Sequence, residues 1–162
     1  MRKHNFKVIY KIQGPSKMKT RDYLPVVILV ILLSSVLLAQ KVSSFKIVVN
    51  KNNPASTMTR DEVSKIFMKK NLRWKNGEKV IPLDLVSTNP LRELFSQRIH
   101  QKAVSAIRVY WQKKIYSGTG LPPAERTNDA EVLAFIREHN AAIGYVSDQA
   151  DLDSVKEVRI TE

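Results

Sequence analysis

The sequence predicts an α/β domain, with a mixed sheet flanked by helices, that follows an apolar N-terminal segment. Short runs rich in β-branched residues alternate with stretches whose apolar residues recur at helical spacing, as in α/β proteins. Turn signals such as Asn76-Gly77 and Ser117–Pro123 separate these runs. Before the first run, the 16 uncharged residues Leu24–Ala39 follow a segment with seven lysines and arginines. The parts of an export signal therefore precede the predicted domain.

The leader, residues 1–39, is predicted to be either a cleaved signal peptide or a retained membrane anchor. Its apolar stretch of 16 residues is somewhat shorter than the roughly 20 that span a bilayer, so both a cleaved signal peptide and a retained anchor helix are open. Cleavage after Ala39 would put Leu37 where a small residue is preferred. Met18 opens a more ordinary signal and is a candidate for the true start. In either case we expect residues 40–162 to work in the periplasm, tethered to the inner membrane if the helix is retained.

The composition narrows the functional classes. The net charge of +12 falls to +6 once the leader is set aside, because 20 basic and 14 acidic residues remain. These charges are interspersed, so we expect no nucleic-acid partner. The chain has no cysteine, which excludes disulfides, thiolate catalysis and thiolate zinc sites. The 123 residues after the leader are enough for one compact domain.

In the first half of the domain, the sequence predicts two strands with a helix between them. Phe45–Asn50 is rich in β-branched residues and predicts a buried strand. A turn over Lys51–Ser56 leads to a helix that opens at Thr59, which has capping-box spacing to Glu62. Lys79–Leu85 predicts a short strand that Pro82 interrupts.

The second half predicts three helices and two strands. One helix follows Pro90, with Leu91, Leu94, Phe95 and Ile99 on one face. The other elements are a helix over about Ala103–Tyr116 with Val104, Ile107, Trp111 and Ile115 inward, a helix from a cap at Asp129 to about Glu138, and strands over Ala141–Val146 and Val155–Ile160.

Several of these signals, in this order, resemble the phosphate-type periplasmic substrate-binding proteins of ABC transporters. The run IVVNKNNPASTMTRDEVSKIFMKKNLRWKNGEKVIPLDL, Ile47–Leu85, resembles one lobe of that family. The resemblance continues through PLRELF, VYWQKKIYSGTGLPP and EVLAFIREHNAAIGYV, so that it covers about 100 residues. Its most specific part is the combination of Asn50, Asn53-Pro54, Ile66-Phe67, Trp74, Asn76-Gly77 and Ile143–Val146.

The resemblance implies a binding protein rather than an enzyme. Members of the family have two α/β lobes, joined by a hinge, that bind an oxyanion in the cleft between them. This chain is long enough for one lobe, so it is similar to the short, single-lobe relatives. A lone lobe cannot close over an ion unless another copy or another protein supplies the opposite wall.

The resemblance also points to candidate ligand-binding residues. The family's phosphate loop on this lobe is typically Ser-Gly-Thr-Arg at a helix start, where hydroxyls, amides and a guanidinium converge on the anion. The matching residues here are Asn89-Pro90-Leu91-Arg92, which keep the arginine and replace the rest. Ser87 and Thr88 lie just upstream. We expect Ser87, Thr88, Asn89 and Arg92 to bind the ligand; the alternative is an ordinary helix cap with Arg92 on the solvated face.

The sequence offers no catalytic or metal-binding constellation. Ser117–Gly120 lacks the Lys-Ser/Thr ending of a P-loop, and no Gly-x-Ser-x-Gly elbow is present. His100 and His139 have no ligand spacing to another histidine, and both fall near predicted helix ends, where a partly charged imidazole is favoured by the dipole. We therefore expect no enzyme activity, no cofactor and no metal.

Two functional hypotheses follow. The first is an exported module that binds phosphate or another small oxyanion for an ABC-type transport or sensing system and contacts its permease or an envelope protein. The second is a ligand-free interaction or assembly module of the cell envelope that kept the fold.

Overall fold

The computed structural model describes residues 44–161. The predicted leader lies outside the described residues and stays a prediction. The strands are β1 (Phe45–Asn50), β2 (Thr57–Thr59), β3 (Ile81–Leu85), β4 (Ala124–Arg126), β5 (Ala142–Ser147) and β6 (Val155–Thr161). The helices are α1 (Arg60–Phe67), α2 (Pro90–Phe95), α3 (Val104–Tyr116) and α4 (Asp129–Glu138), and a π-helical turn (Ser96–His100) continues α2.

The strands form one mixed six-stranded sheet in the order β2-β6-β1-β5-β3-β4. β1 is antiparallel to both of its neighbours, with Ile47 opposite Tyr145 on β5 and opposite Val158 on β6. The outer pairs, β2 with β6, β5 with β3, and β3 with β4, are parallel. The carboxyl ends of β3, β4 and β5 therefore share one edge of the sheet.

Helices cover both faces of this sheet. Gly144 of β5 faces α4, because a Cβ there would meet Val132 and Ile136. The next residue, Tyr145, points to the opposite face, where its ring stacks on Phe95 of α2 with a centroid separation of 3.9 Å. The domain therefore has three layers, with α4 on one side and α1, α2 and the π-helical turn on the other.

Local side-chain chemistry sets where the helices begin. Thr59 and Glu62 form the predicted capping box at the start of α1. Asn128, rather than the predicted Asp129, caps α4, because its side chain accepts a hydrogen bond from the Glu131 amide. Asp129 is the first helical residue, and its carboxylate accepts hydrogen bonds from the Ser147 amide and hydroxyl at 3.1 and 2.6 Å.

The structure confirms the mixed α/β layout and changes some of its details. The strands β2 and β4 have three residues each and were not predicted. Pro82 does not interrupt β3, which runs through it. Ile107 and Trp111 of α3 are buried as predicted, whereas Ile115 is 47% exposed. The prediction that Ile115 is buried with them is wrong, because its side chain lies at the open side of a cavity described below.

Within residues 44–161, no helix is long and apolar enough to cross a bilayer.

Candidate functional site: a buried ion pair beside a small cavity

A buried aspartate near the carboxyl end of β3, the strand next to the edge strand β4, is the starting point of the site. Asp84 lies on β3 and is only 3% exposed, so its carboxylate requires a counter-charge. Three residues after the cap Asn89, α2 places Arg92 against it. The Arg92 Nη1 and Asp84 Oδ2 form an ion pair whose side chains are 7% and 4% exposed.

The second oxygen of Asp84 is held by β5 and by the backbone. The Tyr145 hydroxyl donates to Asp84 Oδ1 at 2.6 Å, and the Leu85 amide donates to the same oxygen at 2.9 Å. Burial raises the pKa of Tyr145 to about 12, so the phenol keeps the proton that it donates. These bonds fix the carboxylate, and through it the guanidinium, at the end of β3.

A buried histidine, His100, lies close enough to Arg92 to sense its charge. The Nδ1 of His100 lies 2.9 Å from the Ser64 hydroxyl of α1, and its ring packs edge-on against Phe95. Burial, together with the nearby Arg92 charge, lowers the pKa of His100 to about 4. The imidazole is therefore neutral near pH 7, which corrects the predicted partly charged helix-end histidine.

Arg92 also lines a cavity of about 260 Å³ between α3 and the β3–β4 edge. Its polar and charged lining residues are Asp84, Ser87, Arg92, Arg108, Gln112 and Glu125. Its apolar lining residues are Val104, Trp111, Ile115, Pro122 and Pro123. The Nε of Arg92 has no hydrogen-bond partner among the described residues, so the ion pair leaves part of the guanidinium's donor capacity unused.

The four sequence-predicted residues do not come together as one set. Ser87 and Arg92 line the cavity, whereas Thr88 and Asn89 are not among its lining residues. Asn89 is occupied as a cap, since its side chain accepts from the Leu91 amide and donates to the Thr127 carbonyl at 2.9 and 3.1 Å. The alternative prediction, an ordinary helix cap with a solvated Arg92, is correct for the cap and wrong for the arginine. Asn89 caps α2, but Arg92 is buried.

The sequence alone did not identify most of the residues that share the site with Arg92. Asp84 carried a detectable signal, because a carboxylate inside an apolar strand needs a cation, and Arg92 follows eight residues later. Tyr145, Arg108 and Glu125 carried none, because they join the site only through tertiary packing.

The side chains that line the cavity include several hydrogen-bond donors. The cavity offers guanidinium, hydroxyl and amide donors from Arg92, Arg108, Ser87 and Gln112, which suits recognition of an oxyanion. The hydrogen-bonded Ser64 and His100 are not among its lining residues. Within the described part of the chain, no group of three or more histidine, aspartate or glutamate side chains is placed to hold a metal ion.

A second groove of about 420 Å³ lies beside β2, but its charged groups are largely engaged. The Glu62 carboxylate accepts from the Thr59 amide at 2.7 Å, and Arg73 donates to the Gly77 carbonyl at 2.7 Å. The cavity beside Arg92 is therefore the better candidate site.

Solved structures share this fold. An ABC-type phosphate transport receptor from Vibrio cholerae aligns with a TM-score of 0.58 and 17% identity, over 72% of this chain and 45% of that one. A Clostridium perfringens protein assigned as a phosphate ABC transporter substrate-binding protein, crystallised with bound phosphate, aligns with a TM-score of 0.59 and 18% identity, over 72% and 44%. PstS from Borrelia burgdorferi aligns with a TM-score of 0.53 and 12% identity, over 74% and 47%.

These comparisons confirm the resemblance at the level of the fold. The described domain shares its fold with part of these phosphate ABC transporter proteins. The chain spans less than half the length of these proteins. No protein-family model matches the chain, and no curated protein matches it in sequence.

Proposed function

We propose that this chain is an exported, non-enzymatic substrate-binding-protein-like module that holds a small oxyanion in the cavity beside Arg92. The observation that carries the proposal is the position of Arg92. Its side chain is only 7% exposed, and it lines a cavity in this fold. The similarity to phosphate transport receptors supports a substrate-binding role.

Recognition would be electrostatic and hydrogen-bonded. Asp84 and Tyr145 fix Arg92 before any ligand arrives, so little side-chain entropy remains to be lost on binding. The Arg108 guanidinium and the Ser87 hydroxyl would complete the donor set, and phosphate is the first ligand to test. A permease or envelope protein would receive the ligand by contact with this lobe.

Isothermal titration calorimetry of phosphate and sulfate into the full-length protein, purified in mild detergent at low ionic strength, tests the proposal. We expect saturable heat that Arg108→Gln weakens and that Arg137→Gln, a surface control on α4, leaves unchanged. Arg92→Lys keeps the charge but loses the planar fork, so it should weaken binding while the fold survives.

The absence of heat with every small oxyanion, including carboxylates, would refute the binding proposal. The alternative function, a ligand-free interaction or assembly module of the envelope, would then be favoured. The replaced phosphate loop supports that alternative. Crosslinking of the full-length protein in cells would identify its contacts.

A further inference from the structure

The charged side chains around the cavity are balanced in sign. Arg92 and Arg108 contribute two cations, and Asp84 and Glu125 contribute two carboxylates. A doubly charged anion would add negative charge beside both carboxylates, which is unfavourable in a partly buried site. A ligand without net charge would meet no such penalty.

Two of these charges are available to a ligand. Neither Arg108 nor Glu125 forms an ion pair with another described residue, although both line the same cavity. A carboxylate is an acceptor and cannot bind a fully deprotonated oxyanion, so Glu125 calls for a donor, and an ammonium group is the strongest one available. The cavity therefore presents an anion-binding side and a cation-binding side.

The remaining wall is apolar. Trp111 is buried, whereas Ile115 is 47% exposed although it lines the cavity. Val104, Pro122 and Pro123 extend this wall. Inorganic oxyanions have no apolar surface to cover it, but an aliphatic group would remove it from water.

The volume limits the size of the ligand. About 260 Å³ lies just below the roughly 300 Å³ at which ordinary ligand pockets begin. A molecule with few non-hydrogen atoms is required.

We infer that the oxyanion held in this cavity is the carboxylate of a small amphipathic zwitterion, as in a free aliphatic α-amino acid, rather than inorganic phosphate. The inference rests on the proposed function and specifies its ligand. The carboxylate contacts Arg92 and Arg108, the ammonium contacts Glu125, and the aliphatic group lies against Trp111 and Ile115.

Calorimetry with four probes tests this assignment on the full-length protein. The probes are L-leucine, 4-methylpentanoate, which lacks the ammonium group, 3-methylbutylamine, which lacks the carboxylate, and inorganic phosphate. We expect leucine to bind with a Kd below about 1 mM and each of the others to bind at least about tenfold more weakly. Glu125→Gln should weaken leucine about tenfold and remove its advantage over 4-methylpentanoate. Glu157→Gln on β6 is the matched control and should change nothing.

The outcomes separate the inference from the function on which it rests. Saturable phosphate binding that depends on Arg108, without leucine binding, would overturn the inference and leave the proposed function standing. No heat with any of the four probes would overturn both. Leucine binding that neither Glu125→Gln nor Arg108→Gln weakens would also overturn the inference, because the ligand would then lie elsewhere.

Discussion

The Asp84→Asn substitution removes the counter-charge of a guanidinium that has almost no access to water. Arg92 and Asp84 have side chains that are 7% and 4% exposed, so solvent cannot replace the lost carboxylate. Breaking one partner of a buried ion pair typically costs about 3–5 kcal/mol. That is a large share of the roughly 5–15 kcal/mol that stabilises an ordinary domain. Asparagine keeps the shape of the side chain, so the effect reports on charge rather than on packing.

Urea denaturation followed by tryptophan fluorescence measures this cost. With a slope of about 2 kcal/mol per molar urea, the midpoint should fall by about 1.5–2.5 M. The matched control is Asp61→Asn, which breaks the Asp61–Lys65 pair on α1, where both side chains are more than half exposed. Because solvent screens that pair, the control should leave the midpoint unchanged.

A double variant separates the ion pair from the rest of the site. Asp84→Asn combined with Arg92→Met removes both charges and should recover much of the stability lost in Asp84→Asn alone. If Asp84→Asn shifts the midpoint no more than Asp61→Asn does, the argument for a buried, mutually dependent pair is refuted.

Three further changes test the packing around the site. Burial and the Arg92 charge lower the pKa of His100 to about 4. The folded state therefore favours the neutral imidazole, and this contribution to the unfolding free energy is fully present above about pH 6.5. It is lost as the pH falls toward 4, and the total loss is about 3 kcal/mol. His100→Gln should therefore flatten the fall of unfolding free energy between pH 6.5 and 4, while His139→Gln should keep the wild-type slope; equal slopes in all three proteins would refute the assignment. Gly144→Ala would place a Cβ 2.7 Å from a methyl carbon of α4 and should cost about 1–3 kcal/mol in urea denaturation, whereas Gly120→Ala, with its nearest neighbour at 3.7 Å, should keep the wild-type midpoint. Trp74→Phe removes the indole donor that bonds a backbone carbonyl just before β5 at 3.0 Å and should cost about 1–3 kcal/mol; an unchanged midpoint would contradict that role.

The longer elements of the fold could be predicted because their signals are local. The strand Phe45–Asn50 and the capping box at Thr59 are found where the sequence predicts them. The strands β2 and β4 could not be predicted, because three residues show no periodicity and pair only after β6 and β3 have been placed. The π-helical turn has no known sequence pattern that would have distinguished it from a continuation of α2.

The candidate site was predictable only in part, for a physical reason. Arg92 was found because it matches a family arginine, but its burial depends on Asp84 and Tyr145, which lie on two different strands. Glu125 and Arg108 reach the same cavity from β4 and α3, and no local pattern links them. The prediction that Ser87, Thr88, Asn89 and Arg92 bind a ligand remains a prediction, and two of the four line the cavity.

The order of strands in the sheet has a consequence for how the chain is made. β1 begins at residue 45, yet its two neighbours, β5 and β6, come from residues 142–161. Nearly the whole domain must be synthesised before this strand can pair on either side, and closing so long a loop slows folding. A nascent chain that ends before residue 142 would expose an unpaired apolar strand. Completion of the sheet therefore depends on the last strands of the domain to be made.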